Sequence, residues 1–482
     1  MKRLIASLWS MYRPRYARAV VYMLQSSEYH AGPYLRWWWR TNNFNRVAVR
    51  RNLDRTRAAK LLMIAVGLGM GLEYALGALC ILTYFMGNND FGVQLGLIVI
   101  LLTPIVWAHL VVVPLELGRW FIVRPREQRY IAESRGIFAN HAAIKIAIAG
   151  SYGKTSMKEL LSTVLSEAKN VAATPGNKNV AISHAYFAKR LAGNEDVIII
   201  EYGEGEPGDV ARFAANTKPT HAIVTGVAPA HLDQYKNLQQ AGEDIFSVAN
   251  SVPEGQAYVN TVADSIKPFT HQGHVHFDEQ GALGYKVSNV KISLTGTSLV
   301  LTKGTQKLRL QSGLVGRHQV ATLAFVAAFA LQLGLTPEQV TAGIAKTKPY
   351  EHRMQPYQLG GAWIIDDTYN GNIEGIRAGT RLLAELDARR KIYVTPGLVD
   401  QGIETEPVHV TMGELIALAK PDIVVLMANS TTPHIEKGLN LAKYGGEVRI
   451  EHNPLHFYQN LDQFVAAGDV VLMQNDWTDN YR

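Results

Sequence analysis

The stretch AAIKIAIAGSYGKTSMKELLSTVLSEA, residues 142–168, decides the fold. AAIKIAIAG is an apolar strand that ends on glycine. The residues after it place Met157, Leu160, Leu161, Val164 and Leu165 on one helical face. Strand, glycine loop and helix therefore stand in the order of a phosphate-binding loop. In Gly150-Ser151-Tyr152-Gly153-Lys154-Thr155-Ser156, glycines let backbone N–H groups approach phosphate oxygens where the helix dipole favours an anion. Lys154 is expected on the β- and γ-phosphates of ATP and the Thr155 hydroxyl on Mg²⁺. A full Walker pattern has glycine where this chain has Ile148, so the loop alone does not decide the matter.

Downstream, VIIIEY (197–202) and HAIVTGV (221–227) predict further buried parallel strands, and Lys291 to Leu310 alternates like antiparallel ones. A helix is expected around Val320 to Leu333. Past a turn at Lys346 to Arg353, WIIDDTYN, KIYVTPG, DIVVLMAN and DVVLMQND repeat the strand pattern with helices between them. The fold class is α/β: a central parallel-sheet ATPase domain at 140–346 and a smaller Rossmann-like α/β domain at 347–482.

Upstream the character changes. Leu61 to Met86 carries one charge, Glu73, and Leu95 to Val113 carries none, so each is long enough to cross a bilayer. Gly87 to Gln94 lacks Lys and Arg, whereas Arg119, Arg124, Arg126 and Arg129 follow the second run. Both ends are then cytoplasmic, and residues 61–116 form a transmembrane hairpin behind a basic arm at 1–60. The run starts too late to be a cleavable signal peptide. Trp37, Trp38 and Trp39 beside Arg36 and Arg40 suggest an interfacial belt, with an aromatic packing patch as the alternative. Glu73 and His109 are either a functional intramembrane pair or a structural one.

The arm holds thirteen Lys or Arg against Glu28 and Asp54, a charge of +11. The whole chain is +7, so everything after residue 60 sums to −4 and a nucleic-acid partner loses its support. The single cysteine, Cys80, excludes an intrachain disulfide and a thiolate zinc site, and suits a reducing compartment.

Seven further segments follow in order: TPGNKN (174–179), IIIEYGEGEPGDV (198–210), TGVAPAHLDQY (225–235), GRHQVA (316–321), EHRM (351–354), IIDDTYNGN (364–372) and VTPGLVDQG (394–402). With the glycine loop they resemble the Mur ligase family over about residues 140–482, and most closely its type that adds D-alanyl-D-alanine to a peptidoglycan precursor. The resemblance implies an ADP-forming amide ligase: ATP phosphorylates a substrate carboxylate, an amine attacks the acyl phosphate, and phosphate leaves. It implies that Glu201 and His231 join Thr155 around magnesium and that Asn177 and Asn179 lie near the reacting carboxylate. It also implies that Arg353 reaches the ATP phosphates from the C-terminal domain, and that His318, Asp367 and Asn370 contact the nucleotide. A lone glutamate is otherwise a solvated charge, a lone histidine a satisfied one, and asparagine common in plain turns. His271, His274 and His276 fit none of these segments and are expected in an ordinary strand or loop.

Three departures bear on function. An arm and hairpin stand where the family usually has a UDP-sugar domain, so the carboxylate donor is either a UDP-linked or a lipid-linked muramoyl peptide. The family's carbamylated lysine is replaced by Gly242 in AGEDIF, with Glu243 and Asp244 as candidate substitutes. Gln319 stands at the third departure, as does the run Asn370-Gly371-Asn372-Ile373. Beside the peptidoglycan ligase stand two alternatives: a membrane-bound relative that builds another peptide or poly-glutamate polymer, and a tethered ATP-binding scaffold without ligase activity.

Overall fold

The computed structural model describes residues 8–475 apart from 28, 42–43, 45–52, 88–89, 177, 229–234, 370 and 400. The chain divides into two compact units, Met1–Arg129 and Tyr130–Arg482.

The first unit is built on the helices Arg57–Gly87 and Asp90–Leu110, and both helical courses are long and apolar enough to cross a membrane. Their crossing is set by glycine. A Cβ on Gly96 would lie 2.4 Å from the carbonyl oxygen of Gly77, so the two backbones touch where no larger residue fits. Away from that seam Leu68, Leu72, Leu97, Ile98 and Leu101 are each more than half exposed, as lipid-facing residues would be.

The short helices Tyr16–Ser26 and Ala31–Arg40 lie against the second long helix through tyrosine hydroxyls. Tyr12 donates to the Leu101 carbonyl at 2.6 Å, Tyr16 to Pro104 at 3.0 Å and Tyr34 to Ala108 at 2.9 Å. These carbonyls recur three and four residues apart, hence on one helical face. The three tryptophans are divided between the two environments weighed above. Trp38 is buried and donates its Nε1–H to Tyr16 Oη at 2.9 Å, while Trp39 is 71% exposed. His109 bonds the Ile105 carbonyl at 2.8 Å and packs on Trp38 and Trp39, and forms no ion pair with Glu73 among the described residues.

The second unit holds two sheets. The larger contains β1 (Ile144–Ala149), β2 (Val171–Ala173), β3 (Val197–Glu201), β4 (His221–Val224), β5 (Ala257–Asn260), β6 (Val275–Asp278), β7 (Gly281–Ala282), β8 (Tyr285–Ser293), β9 (Gly296–Lys303) and β10 (Gln306–Ser312). Their order is β10-β9-β8-β7-β6-β5-β4-β1-β3-β2, parallel from β2 to β6 and antiparallel from there to β10. Alternation along β1 sends Ile146 and Ile148 into one core and Ala147 and Ala149 into the other, so helices cover both faces. The helix Lys154–Leu165 buries the apolar face its sequence defines, and Gln319–Gln332 is buried nearly all round.

The smaller sheet contains β11 (Gln355–Leu359), β12 (Ala362–Asp367), β13 (Lys391–Thr395), β14 (Ile423–Met427), β15 (Glu447–Glu451) and β16 (Val470–Gln474), ordered β11-β12-β16-β13-β14-β15. All its pairs are parallel except β11 with β12, an antiparallel edge strand that the sequence pattern did not reveal.

In the larger sheet β1 lies between β3 and β4. The chain leaves β1 toward one side of the sheet and returns on the other, which opens a crevice at the carboxyl ends of these three strands. Gly150, Glu201 and Thr225 all emerge there.

Candidate active site

The loop after β1 is shaped by close backbone approach. Gly150 has φ +144°, and a Cβ there would lie 2.3 Å from Thr225 Oγ1. Ser151 N–H donates to the Gly226 carbonyl at 2.9 Å, and Ala228 N–H donates to Ser151 Oγ at 3.1 Å. The loop after β4 thus fixes the loop after β1. Gly153, at φ +74°, precedes the helix Lys154–Leu165, and no side chain caps it. The first-turn N–H groups, including that of Ser156, face the crevice end without a side-chain acceptor, the condition for anion binding.

Two ammonium–carboxylate pairs line this crevice. Lys154 Nζ lies 2.6 Å from Glu204 Oε2 and also donates to the Gly150 carbonyl. Lys158, one turn on and fully buried, lies 3.3 Å from Glu201 Oε2 and donates to the Gly176 carbonyl. Thr155 Oγ1 donates to Glu201 Oε1 at 3.1 Å, and Asn179 Nδ2 donates to the same oxygen at 3.4 Å. The backbone of Glu201 is held by Thr174 Oγ1 on its N–H and by His184 Nε2 on its carbonyl.

The C-terminal part of the unit reaches the same loop. Arg353 Nη2 lies 3.5 Å from Thr155 Oγ1, and its guanidinium stacks 4.0 Å from the Tyr369 ring centroid. Its neighbours His352 and Met354 both have positive φ, 59° and 45°, a strained backbone of the kind that a functional position retains. Asn372 Nδ2 donates to the Ser151 carbonyl at 3.4 Å, while its Oδ1 caps the helix Ile373–Glu385.

Asp367 accepts from Met354 N–H at 3.1 Å and from Gln474 Nε2 at 2.8 Å. Burial pushes its carboxyl up to about 7, against the lowering effect of these donors and of Arg353. A carboxyl whose folded pKa lies above its unfolded one binds more protons in the native state across that interval, so stability falls as pH rises from about 4 to about 7 and is flat above. Asp367→Asn is therefore expected to remove that part of the fall, read as denaturation midpoints between pH 4 and pH 8. An unchanged slope in the variant would show that Asp367 is ionised throughout.

His318 precedes the helix Gln319–Gln332 without a side-chain capping bond, with its Nε2 2.9 Å from Gln319 Nε2. Burial lowers its pKa to about 4, which leaves a neutral imidazole. The His271 and His274 ring centroids lie 3.6 Å apart with the planes tilted by 36°, and His276 lies in β6. Among the described residues no three His, Cys, Asp or Glu form a metal-holding group. Asn177, His231 and Asn370 lie outside the described residues.

The donor set suits magnesium. Thr155 and Glu201 offer hard oxygens, and the buried Glu201 Oε2 has no hydrogen-bond partner beyond its ion pair with Lys158. One carboxylate and one hydroxyl are what Mg²⁺ takes from a protein when phosphates and waters supply the rest. The position of the family's carbamylated lysine is closed: a Cβ on Gly242 would lie 2.1 Å from the Phe269 ring. Glu243 is exposed and bonded to Gln239, whereas Asp244 is buried and accepts from Tyr235 Oη at 2.8 Å and Gly208 N–H at 2.9 Å.

Sequence reasoning missed Lys158, Glu204 and Asn372. Lys158 had a signal, because a lysine four residues after Lys154 and three before Leu161 shares a helical face with both. Glu204 had a weaker one, as one of several acids in the loop after β3.

Residues 148–330 match the Mur ligase middle domain. The UDP-N-acetylmuramoyl-tripeptide–D-alanyl-D-alanine ligase of Escherichia coli K12 is 30% identical over 289 residues, covering 58% of this chain and 63% of the relative. The enzyme of that name from Mycobacterium tuberculosis CDC 1551 is 28% identical over 342 residues, 68% of this chain and 66% of the relative. The chain thus spans just under two thirds of the length of these curated relatives. Among solved structures, MurF from Acinetobacter baumannii superposes with a TM-score of 0.63 at 20% identity over 72% of this chain and 77% of that one. MurF ligase from Thermotoga maritima in complex with ADP gives 0.63 at 21% identity over 73% and 80%. Residues 148–330 are thus similar to the Mur ligase middle domain, and the similarity to Mur ligases extends beyond it into the C-terminal part of the chain.

Proposed function

We propose that the chain is an ATP-dependent, ADP-forming amide ligase that activates a carboxylate as an acyl phosphate and joins it to an amine. The amine is D-alanyl-D-alanine and the carboxylate belongs to a muramoyl peptide. The observation that carries this is the meeting of Lys154, Thr155, Glu201 and Arg353 at one loop, three from the β1–β3 crevice and one from the C-terminal part. In this reading residues 140–346 bind nucleotide and 347–482 close over it.

The chemistry asks for charge control above all. A carboxylate is a poor electrophile, and turning it into an acyl phosphate brings several negative charges together. Magnesium, when bound, would neutralise phosphate charge and orient the transferred group. Lys154 and the helix N-terminus hold the nucleotide's phosphates. Thr155 and Glu201, with His231, hold the metal, and Arg353 adds positive charge from the other side. Asn179, hydrogen-bonded to Glu201 and joined by Asn177, holds the reacting carboxylate beside it. His318, Asp367 and Asn370 line the nucleotide's other contacts.

Residues 1–60 and 61–116 serve as arm and hairpin anchor, with the catalytic body on the cytoplasmic face. The carboxylate donor is a UDP-linked or a lipid-linked muramoyl peptide. A second reading, a tethered nucleotide-binding scaffold, is favoured by one observation, the closure of position 242 by Phe269.

Phosphate release by the full chain in detergent separates these readings. Muramoyl tripeptide, in UDP-linked and lipid-linked forms, and D-alanyl-D-alanine are offered together and singly. Release that requires both substrates is expected. Nucleotide binding without turnover on any pair would leave the scaffold.

A further inference from the structure

Lys154, the cation at the heart of the phosphate loop, is already occupied. Its ammonium lies 2.6 Å from Glu204, and the two side chains are only 13% and 4% exposed. We infer that Glu204 is an internal anion seated on Lys154 in the place of the nucleotide's terminal phosphate, so that nucleotide binding exchanges one anion for another. The inference rests on the nucleotide-binding reading above.

The loop that carries Glu204 is pinned at both ends. Gly203 N–H donates to the Asn179 carbonyl at 2.8 Å, and a Cβ on Gly203 would lie 2.8 Å from Asn179 Oδ1. Glu206 N–H donates to Asp209 Oδ2 at 2.8 Å, and Gly208 N–H donates to Asp244 Oδ1 at 2.9 Å. With the backbone held, Glu204 leaves Lys154 by side-chain rotation. The second ammonium of the helix, Lys158, is matched by Glu201, so each cation on this face has its own carboxylate. A phosphate that takes Lys154 leaves the Glu204 carboxylate without that partner in a poorly solvated place, and the like charges repel. Glu204 thus weakens nucleotide binding and resets the loop when nucleotide departs. It acts through Lys154, as a positioning residue.

The test is the dissociation constant of Mg·AMP-PNP for the full chain in detergent, by titration calorimetry, across four proteins. Glu204→Gln keeps shape and loses charge, and is expected to bind about tenfold more tightly than wild type. Glu204→Asp keeps the charge and is expected to stay within about twofold. Glu206→Gln removes the same charge from the same loop at an exposed residue that does not touch Lys154, and is expected to leave binding unchanged. Equal or weaker binding by Glu204→Gln overturns the exchange. So does an equal gain from Glu206→Gln, since the effect would then be the loop's general field. Wild type that binds no nucleotide overturns the functional reading itself, and the exchange falls with it.

Discussion

Glu201→Ala is expected to abolish phosphate release, by about a thousandfold or more, and to destabilise the second unit by about 3 kcal/mol. The two effects have different origins. The loss of turnover comes from removing the carboxylate that holds Thr155 Oγ1 at 3.1 Å and supplies a magnesium oxygen in the proposed mechanism. The loss of stability comes from Lys158, whose side chain has no exposure and whose ammonium would keep only Glu159 at 3.2 Å and the Gly176 carbonyl. Breaking one partner of a buried pair costs far more than replacing both. The double variant Glu201→Ala, Lys158→Met is accordingly expected to regain most of the thermal midpoint while staying inactive. Phosphate release and thermal unfolding of the solubilised chain, measured on the same preparations, check both halves. If the double variant melts as low as the single one, Lys158 is not the source of the cost. If the single variant turns over, Glu201 is not at the reacting centre.

This case also shows how far residues alone reach. The strand, loop and helix at 142–168 were legible because periodicity and glycine placement are local properties. So were the antiparallel strands β9 and β10 with the end of β8, whose alternation is visible between Lys291 and Leu310. Partnership across the crevice is not local. That Glu201 faces Lys158, and that Glu204 rather than solvent meets Lys154, depends on β3 lying beside β1 in the register that pairs Ile148 with Glu201. Gly242 could be read only as a missing lysine, whereas the Phe269 ring shows the space to be filled. The tryptophan run was ambiguous for a similar reason. Adjacent residues on a helix point about 100° apart, so one contiguous run serves both surfaces, Trp38 toward Tyr16 and Trp39 outward.

Arg353→Ala is expected to lower kcat by about a thousandfold with little change in thermal midpoint. The side chain reaches from the turn before β11 to the phosphate loop, with its guanidinium 3.5 Å from Thr155 Oγ1 and stacked on Tyr369 at 4.0 Å. Stacking on an aromatic face fixes the plane of the group without using its N–H donors, so those not directed at Thr155 Oγ1 can meet phosphate oxygens. The flanking positive φ angles at His352 and Met354 hold the backbone in one of few conformations that aim the side chain at the loop. A group supplied from a separate element in this way acts on charge that grows in the transition state, so the loss should fall on kcat more than on KM for ATP. Arg353→Lys is expected to recover little, because an ammonium neither stacks nor offers a planar fork. Steady-state phosphate release over a range of ATP concentrations separates the parameters. A variant that lost only ATP affinity, with kcat intact, would make Arg353 a ground-state binding residue. Full activity in Arg353→Lys would reduce its role to a point charge.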